Sequence, residues 1–537
     1  MKKFLTMIII FLMLFSVSEA NVKDIKEITY NLGVDPQTLD PAVNHALDGA
    51  IVDTNIFEGL LRYDIEGNPE PACASSWDVS PDGLTWTFHL RENLKWSDGM
   101  PIKASHFKDG FLRLIDSKSG SPYASLAFFI KNAELFYNGK IASNDVGLSA
   151  PDDNTFIIKL ENANPLMLYY MAFASFMPAR MDIVNENPRT WAAKPETLIS
   201  NGPFRLEGWK HGSGGEITII KNQNYWDADN VKPDRVRLVF IGDANTALAA
   251  FKAGRVDFMT TVPSLMRPLL LKRGEAVSIP SYYIAYCNFN VTRKPFDDVR
   301  VRRALSLAID RKIITDKIIL GGHKPATGAI MNQIPGKTVS EDFRTEGGEL
   351  ISPRSEIEEA RRLLAEAGYP DGKGFPEITL KYSSSSNRGK IFPEVLQGMW
   401  KTALGIKVNL SGEEWKVFLS TRRKGDFDVD ISAWVMDFPD AAGLLECFIT
   451  GDSSNDGRYS NSEFDALMKK ARVELDRAKR IDYLHEAEKI LIDDMPLIPL
   501  YFASDIKMQS PNVKGIYQFP TGIVIFRAAE LMKSFSQ

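Results

Sequence analysis

Along this chain the apolar residues switch again and again between a two-residue period and a helical one, with no short repeat and no low-complexity tract to break the mixture. Period two marks strands with one buried face, and the candidates are Glu27 to Leu32, Thr155 to Leu160, Glu216 to Lys221, Arg235 to Ile241, Glu377 to Tyr382 and Lys407 to Leu410. Helical spacing falls between them. From Ser355 to Ala367, the residues Ile357, Ala360, Leu363, Leu364 and Ala367 make an apolar stripe, Ser355 and Glu358 have the spacing of a capping box, and Gly368 supplies the stop. A second helix is expected over Val301 to Lys312, with Val301, Leu305, Ala308 and Ile309 on one side. Helices packed on sheets, an α/β fold, follow from this patterning.

The first residues carry an address. Lys2 and Lys3 precede the apolar run Phe4 to Phe15, and Ser18 and Ala20 are the small residues expected before a cut at Asn21, so residues 1–20 read as a cleaved secretory signal peptide. A run of twelve residues is short of the roughly 20 that a membrane-crossing helix needs. No Cys follows the run, so a lipid anchor is not expected, and the mature protein is placed free in the periplasm. Cleavage leaves 517 of the 537 residues. Single cores stop growing near about 250 to 300 residues, so at least two lobes are expected. Loss of Lys2, Lys3 and Glu19 takes the 64 basic and 69 acidic residues to 62 and 68, a balance that attracts neither nucleic acid nor an anionic membrane. Cys73, Cys287 and Cys447 allow one internal disulfide at most, so no disulfide framework holds the fold.

Signals of catalysis are missing. The chain has no HExxH, CxxC, GxSxG or Walker loop, and His45, His89, His106, His211, His323 and His485 never fall at metal-ligand spacing. Asp426, Asp428 and Asp430 alternate along GDFDVD, which would put three carboxylates on one strand face. A calcium loop needs a glycine turn and a distant bidentate Glu, whereas Phe427, Val429 and Ile431 alternate with the acids as in an ordinary strand. The chain is therefore read as a non-enzyme without catalytic residues, metal or cofactor.

From Trp77 to Gly99 the chain reads WDVSPDGLTWTFHLRENLKWSDG. Leu84, Trp86, Phe88 and Leu90 alternate with Thr85, Thr87 and His89, and Pro81-Asp82-Gly83 and Asp98-Gly99 close the strand with turns. As a string it closely resembles the signature of the extracellular solute-binding proteins that serve peptide and nickel ABC importers. The same resemblance continues in order through LDPAVNHALDGAIVDTNIFEGLLRYD (Leu39 to Asp64), ISNGPFRLEGW (Ile199 to Trp209), NYWD (Asn224 to Asp227), KAGRVDF (Lys252 to Phe258), PFDDVRVRRALSLAIDR (Pro295 to Arg311), LLAEAGYPDGKGFP, LGIKVNL and EWKVFLSTRRKGDFDV.

The resemblance implies a bilobal periplasmic-binding-protein fold of type II, in the three-domain peptide-binding class, with the ligand cleft between the lobes. By it, the first domain is assembled from residues 21–62, 196–283 and 498–537, a small second domain is inserted at 63–195, and the third spans 284–497, entered and left through two crossings that act as a hinge. The implied function is the periplasmic component of an ABC importer, a monomer that encloses oligopeptides in extended form and delivers them to an inner-membrane permease. Alternatives are the same fold holding dipeptides, murein peptide, haem or a nickel chelate, and a periplasmic hydrolase or peptide chaperone.

The line DISAWVMDFPDAAGLLE, Asp430 to Glu446, resembles the peptide-binding branch, in which an aromatic residue and an Asp three positions later meet the amino end of the peptide; here these are Trp434 and Asp437. A buried ammonium needs an opposite charge, because leaving one partner of such a pair alone costs about 3 to 5 kcal/mol. By the same resemblance the peptide lies as a strand between His45, Ala46 and Leu47 on the first domain and Ala433, Trp434 and Val435 on the third, held by main-chain hydrogen bonds. Trp415, Trp434 and Tyr501 are candidate pocket walls, with ordinary core packing as the alternative for each. The basic residues that relatives place three positions before the Trp and late in the helix after the hinge are absent here, where Ile431 and Ile319 stand. Arg388 and Arg422 remain as partners for a peptide carboxylate, Arg422 with a structural ion pair as its alternative.

Overall fold

The computed structural model describes residues 25–384 and 388–532; the expected signal peptide lies outside the described residues. Among the described residues, eleven strands form one mixed sheet. Its order is Val408–Glu413, Ile378–Ser383, Val429–Val435, Val277–Phe289, Leu497–Gln509, Phe258–Met259, Glu27–Asn31, Arg235–Val239, Glu216–Lys221 and Phe204–Lys210, with Lys324–Pro325 added on Leu497–Gln509.

The two central strands, Val277–Phe289 and Leu497–Gln509, are antiparallel partners that belong to both halves of the sheet. Their pairing slips between Pro280 and Ile284 and again between Ala285 and Tyr286. Toward one end, Ile506 and Met508 pack with Ala247, Met259 and Leu270 in the first lobe. Toward the other, Ile498 and Leu500 pack with Cys287, Phe289 and Trp400 in the second lobe, and Phe502 joins that lobe's other core. Along this one continuous strand the packing passes from one apolar core to the other between Phe502 and Ile506.

A separate four-stranded sheet, in the order Ala74–Val79, Thr85–Leu90, Thr155–Lys159 and Leu148–Ser149, carries the stretch that opened the family resemblance. Trp86, Phe88 and Leu90 are buried while Thr85, Thr87 and His89 are half-exposed, as period two requires. Gly83 ends the preceding turn at φ +70°, a conformation that favours glycine. The core of this sheet is continuous with that around Ile28, Tyr30, Val236 and Leu238 of the large sheet, in one apolar cluster.

Two helices differ from their expected form. The stripe Ala360, Leu363 and Leu364 is buried and the helix runs Ile357–Glu366, yet its cap position is Glu356 and no side chain caps it, so the Ser355–Glu358 box does not form. The expected helix to Lys312 stops at Leu307. Arg311 is fully buried instead and donates to the Ser306, Ile309 and Pro499 carbonyls and to Ser306 Oγ, which holds the chain in a break before Asp310 caps a new turn. Asp426 and Asp428 precede the strand Val429–Val435 and face Arg293 at 3.1 and 3.4 Å, whereas Asp430 is buried in it. The three acids thus do not share a face. Cys73, Cys287 and Cys447 are buried free thiols, and Cys287 and Cys447 are not joined.

Candidate functional site: a two-chambered cleft beside an open strand edge

Strand Val429–Val435 is paired along its whole length with Val277–Phe289, from Phe289 opposite Val429 to Tyr283 opposite Val435. On its other edge it pairs with Ile378–Ser383 only at Val429 and Asp430. From Ile431 to Val435 that edge has no ladder partner among the described residues, and an unpaired edge is a template for another extended chain. Successive side chains in a strand point to opposite faces. Ile431, Ala433 and Val435 accordingly line cavities, while Trp434 packs against the second lobe's core and donates from Nε1 to the Gly443 carbonyl at 2.7 Å. Trp434 lines neither of these cavities: the alternation that presents Ala433 and Val435 to them turns it toward the core.

The chain after Val435 enters a tightly held turn. Met436 N–H donates to the Tyr282 carbonyl at 2.9 Å. Asp440 is buried and receives Arg480 Nη1 and Nη2 at 2.6 and 2.8 Å, while its Oδ1 also accepts the Ala442 N–H at 2.9 Å. Asp437 stands between these anchors at the wall of a cavity of ≈ 290 Å³. Its side chain is exposed to that cavity, whose walls surround it with protein. Burial alone pushes its carboxyl above the usual carboxylate range, with no basic group acting against the shift. It has no ion-pair partner among the described residues.

The cavity is built from both lobes. The first contributes His45, Ala46 and Leu47, with Tyr63, Tyr123, Phe173 and Phe519; the second contributes Val435, Met436 and Asp437, and Tyr282 stands on the strand that runs between them. Burial first, and the Asp437 charge second, push the Tyr123 hydroxyl up to about 12. The same two influences, with those of neighbouring tyrosines, raise Tyr63. His45 to Leu47 lead into the helix Leu47–Ile56 and are fixed by Asn44, which accepts the Ala46 N–H at 3.0 Å and donates to the buried Asp53 at 2.9 Å. Gly49 makes room for this: a Cβ there would lie 2.6 Å from the Asn44 side chain.

A second cavity of ≈ 650 Å³ adjoins the first, with Val435 lining both. Ala433, Trp415, Tyr501 and Arg422 line it, as do Ile319 and Ile431. Arg422, however, lies 2.9 Å from Asp456 and 3.5 Å from the fully buried Asp430, so the guanidinium is already balanced by two acids. The structural ion pair, the alternative expected for Arg422, is thus present, with Asp456 brought to it by the fold, while the residue also lines the cavity. Burial, opposed by Arg422 and Ser432, leaves the Asp430 carboxyl pushed up to about 6. Arg388 is the first residue of the helix Arg388–Leu404, and its side chain lies outside the described residues. The aromatic walls of the first cavity, from Tyr63 to Phe519, were not expected from sequence; they come from five separate segments with no common spacing. Among the described residues no cluster of three or more His, Cys, Asp or Glu could hold a metal ion. Nor is any helix among them long and apolar enough to cross a membrane.

Residues 68–456 match the bacterial extracellular solute-binding proteins, family 5 Middle. The dipeptide-binding protein DppE of Bacillus subtilis is 34% identical over 92% of this chain and 90% of its own length. A probable deoxycholate-binding periplasmic protein of Escherichia coli is 35% identical over 90% of each chain. Among solved structures, the unliganded open form of MppA, a periplasmic murein tripeptide binding protein, superposes with a TM-score of 0.81 at 30% identity, covering 95% of this chain and 98% of that one.

Proposed function

The chain belongs to the bacterial extracellular solute-binding proteins of family 5, and from that premise we propose that it captures oligopeptides for an ABC importer. The observation that carries this reading is the joint placement of Asp437 and the open strand edge. A carboxylate with no ion-pair partner among the described residues faces a cavity shared by both lobes, one residue beyond Met436 and two beyond an edge free to pair with an extended chain. The α-ammonium of a peptide supplies the missing charge, and main-chain hydrogen bonds to Ala433 and Val435 on one side and to the His45–Leu47 segment on the other supply affinity without reading sequence. Asp437 is the amino-end anchor and Tyr501 and Trp415 are walls farther along.

The slipped pairing around residues 281–283, with the strand crossing near 503, is the hinge of this reading, since a few torsions there suffice to bring the lobes together. The first lobe then comprises the segments around 21–62 and 196–283 and the C-terminal strands, with 63–195 inserted, and the second lobe the segment from 284 to about the crossing. The protein is a monomer in the periplasm, released by cleavage before Asn21, not lipid-anchored, without catalytic activity, and its partner is an inner-membrane permease. Native mass spectrometry of the mature protein purified from its host, with release of whatever co-purifies, tests the reading. A set of peptides of related length supports it; a single non-peptide ligand would overturn it.

A further inference from the structure

The second chamber is apolar where a peptide-end pocket would be charged. Leu265, Ile391, Trp415 and Val435 stand at its wall while being 93%, 59%, 48% and 50% exposed. Such a cluster of exposed large apolar side chains is costly on a soluble protein and marks a surface that something covers. Leu265 comes from the first lobe, where its neighbours Val262 and Met266 pack, whereas Ile391, Trp415 and Val435 belong to the second. The exposed apolar groups therefore sit on both sides of the gap, and drawing the lobes together buries them against whatever lies between. Among the described residues, the basic ones on the chamber wall are Arg422, already balanced by Asp430 and Asp456, and His323, whose Nδ1 accepts the Ser504 N–H at 3.0 Å.

Resting on the reading of the cleft as a peptide site, we infer that this chamber selects its ligands: it takes a bulky apolar side chain of the peptide, clamped between Leu265 and Trp415, and disfavours a charged one. Distance along the strand says which side chain. The chamber is lined by Val435, Ala433 and Ile431, two to six residues before Asp437. At about 3.3 Å per residue in both chains, a peptide whose ammonium meets Asp437 brings about its third or fourth residue there.

The test is calorimetric titration of the mature protein, unfolded and refolded to remove co-purified ligand, with tetraalanine and with tetrapeptides carrying one Phe or one Glu at each position in turn. Phe at the third or fourth position is expected to bind about tenfold or more tighter than Ala, and Glu there more weakly than Ala. In Leu265→Ser and Trp415→Ala the Phe-to-Ala affinity ratio is expected to fall toward one; Leu265 is exposed, so its replacement leaves folding intact. Equal affinities for Ala and Phe at every position, or a ratio unchanged in both variants, would overturn this inference and leave the peptide reading standing. Absence of binding by all the peptides, tetraalanine included, would overturn the peptide reading itself.

Discussion

Asp440 and Arg480 form a buried two-point ion pair, Oδ2 to Nη1 at 2.6 Å and Oδ1 to Nη2 at 2.8 Å, three residues beyond Asp437. With Trp434 bound to the Gly443 carbonyl, this pair fixes both ends of the turn that presents the Asp437 carboxylate. Asp437 is thereby positioned by groups that never enter the cleft.

Breaking that pair leaves a charge stranded in the core. Arg480→Met is expected to lower stability by about 3 to 5 kcal/mol, since removing one partner of a buried ion pair exposes the full desolvation cost of the other. Urea denaturation of the mature protein measures it; a loss below 1 kcal/mol on the order expected for surface pairs would show the pair to be solvent-relaxed.

Asp437→Asn removes the charge while keeping the shape. Peptide affinity is expected to fall by about 2 kcal/mol or more, the scale for truncating a desolvated charge pair. Acetylating the peptide's amino end should cost a similar amount, and the two changes together little more than either alone. Isothermal titration of the four combinations gives the coupling directly, and additive losses would show that ammonium and carboxylate do not meet.

These two residues also show where sequence stops being informative. The period-two alternation of ISAWV already separates Trp434 from Ala433 and Val435, so the turning of Trp434 to the core was legible in spacing alone, against the pull of the family resemblance. Asp437 was legible only through that resemblance. Its lack of an ion-pair partner was not legible at all, because Tyr63, Tyr123, Tyr282 and Phe519 reach its cavity from separate segments. The ion pairing of Arg422 was only half legible for the same reason: Asp430 lies close in sequence, but Asp456 arrives through the fold. The strands and the apolar stripe of Ile357–Glu366 were set by local patterning and stand nearly as expected, whereas the break at Arg311 depends on the Pro499 carbonyl of a strand nearly two hundred residues away.

Affinity should depend on pH through Asp437. Burial holds its carboxyl above the ordinary carboxylate value in the free protein, and a bound ammonium favours the ionised form. Binding is therefore full above that raised pKa and weakens as pH falls through it, at a higher pH than an ordinary Asp would give, with protons released on binding. Titrations across this range in two buffers of different ionisation enthalpy read both effects, and Asp437→Asn should flatten them.

Gly49→Ala probes the opposite wall. The added Cβ would meet the Asn44 side chain at 2.6 Å and force it off Asp53 and the Ala46 N–H. Asp53 already has one oxygen without a hydrogen-bond partner, so losing Asn44 leaves the buried carboxyl poorly satisfied. A stability loss of about 1 to 3 kcal/mol is expected, together with weaker peptide binding as the His45–Leu47 segment moves. A Thr at position 44 in the alanine variant, shorter than Asn, should recover part of the stability if the clash is the cause.

Asp430 and Asp440, ten residues apart and both buried beside an arginine, should act on stability with opposite pH dependence. Asp440 has its guanidinium to itself in a two-point contact, and its carboxyl is held below the usual range despite burial. Its contribution is present above the unfolded carboxylate value and lost as pH falls through the lower folded one. Asp430 shares Arg422 with Asp456, and its Oδ2 lacks a hydrogen bond, so burial wins and the carboxyl rises to about 6. The native state then holds a proton that the unfolded state gives up, and the stabilisation from Asp430 is full below the unfolded value and lost as pH rises toward about 6. Asp430→Asn should therefore flatten the fall in stability between the ordinary carboxylate pKa and that value, while Asp440→Asn should lower stability at neutral pH and reduce the loss on acidification. Denaturant midpoints of the two variants across the acid range separate the cases, and identical profiles would mean that Arg422 holds Asp430 ionised as firmly as Arg480 holds Asp440.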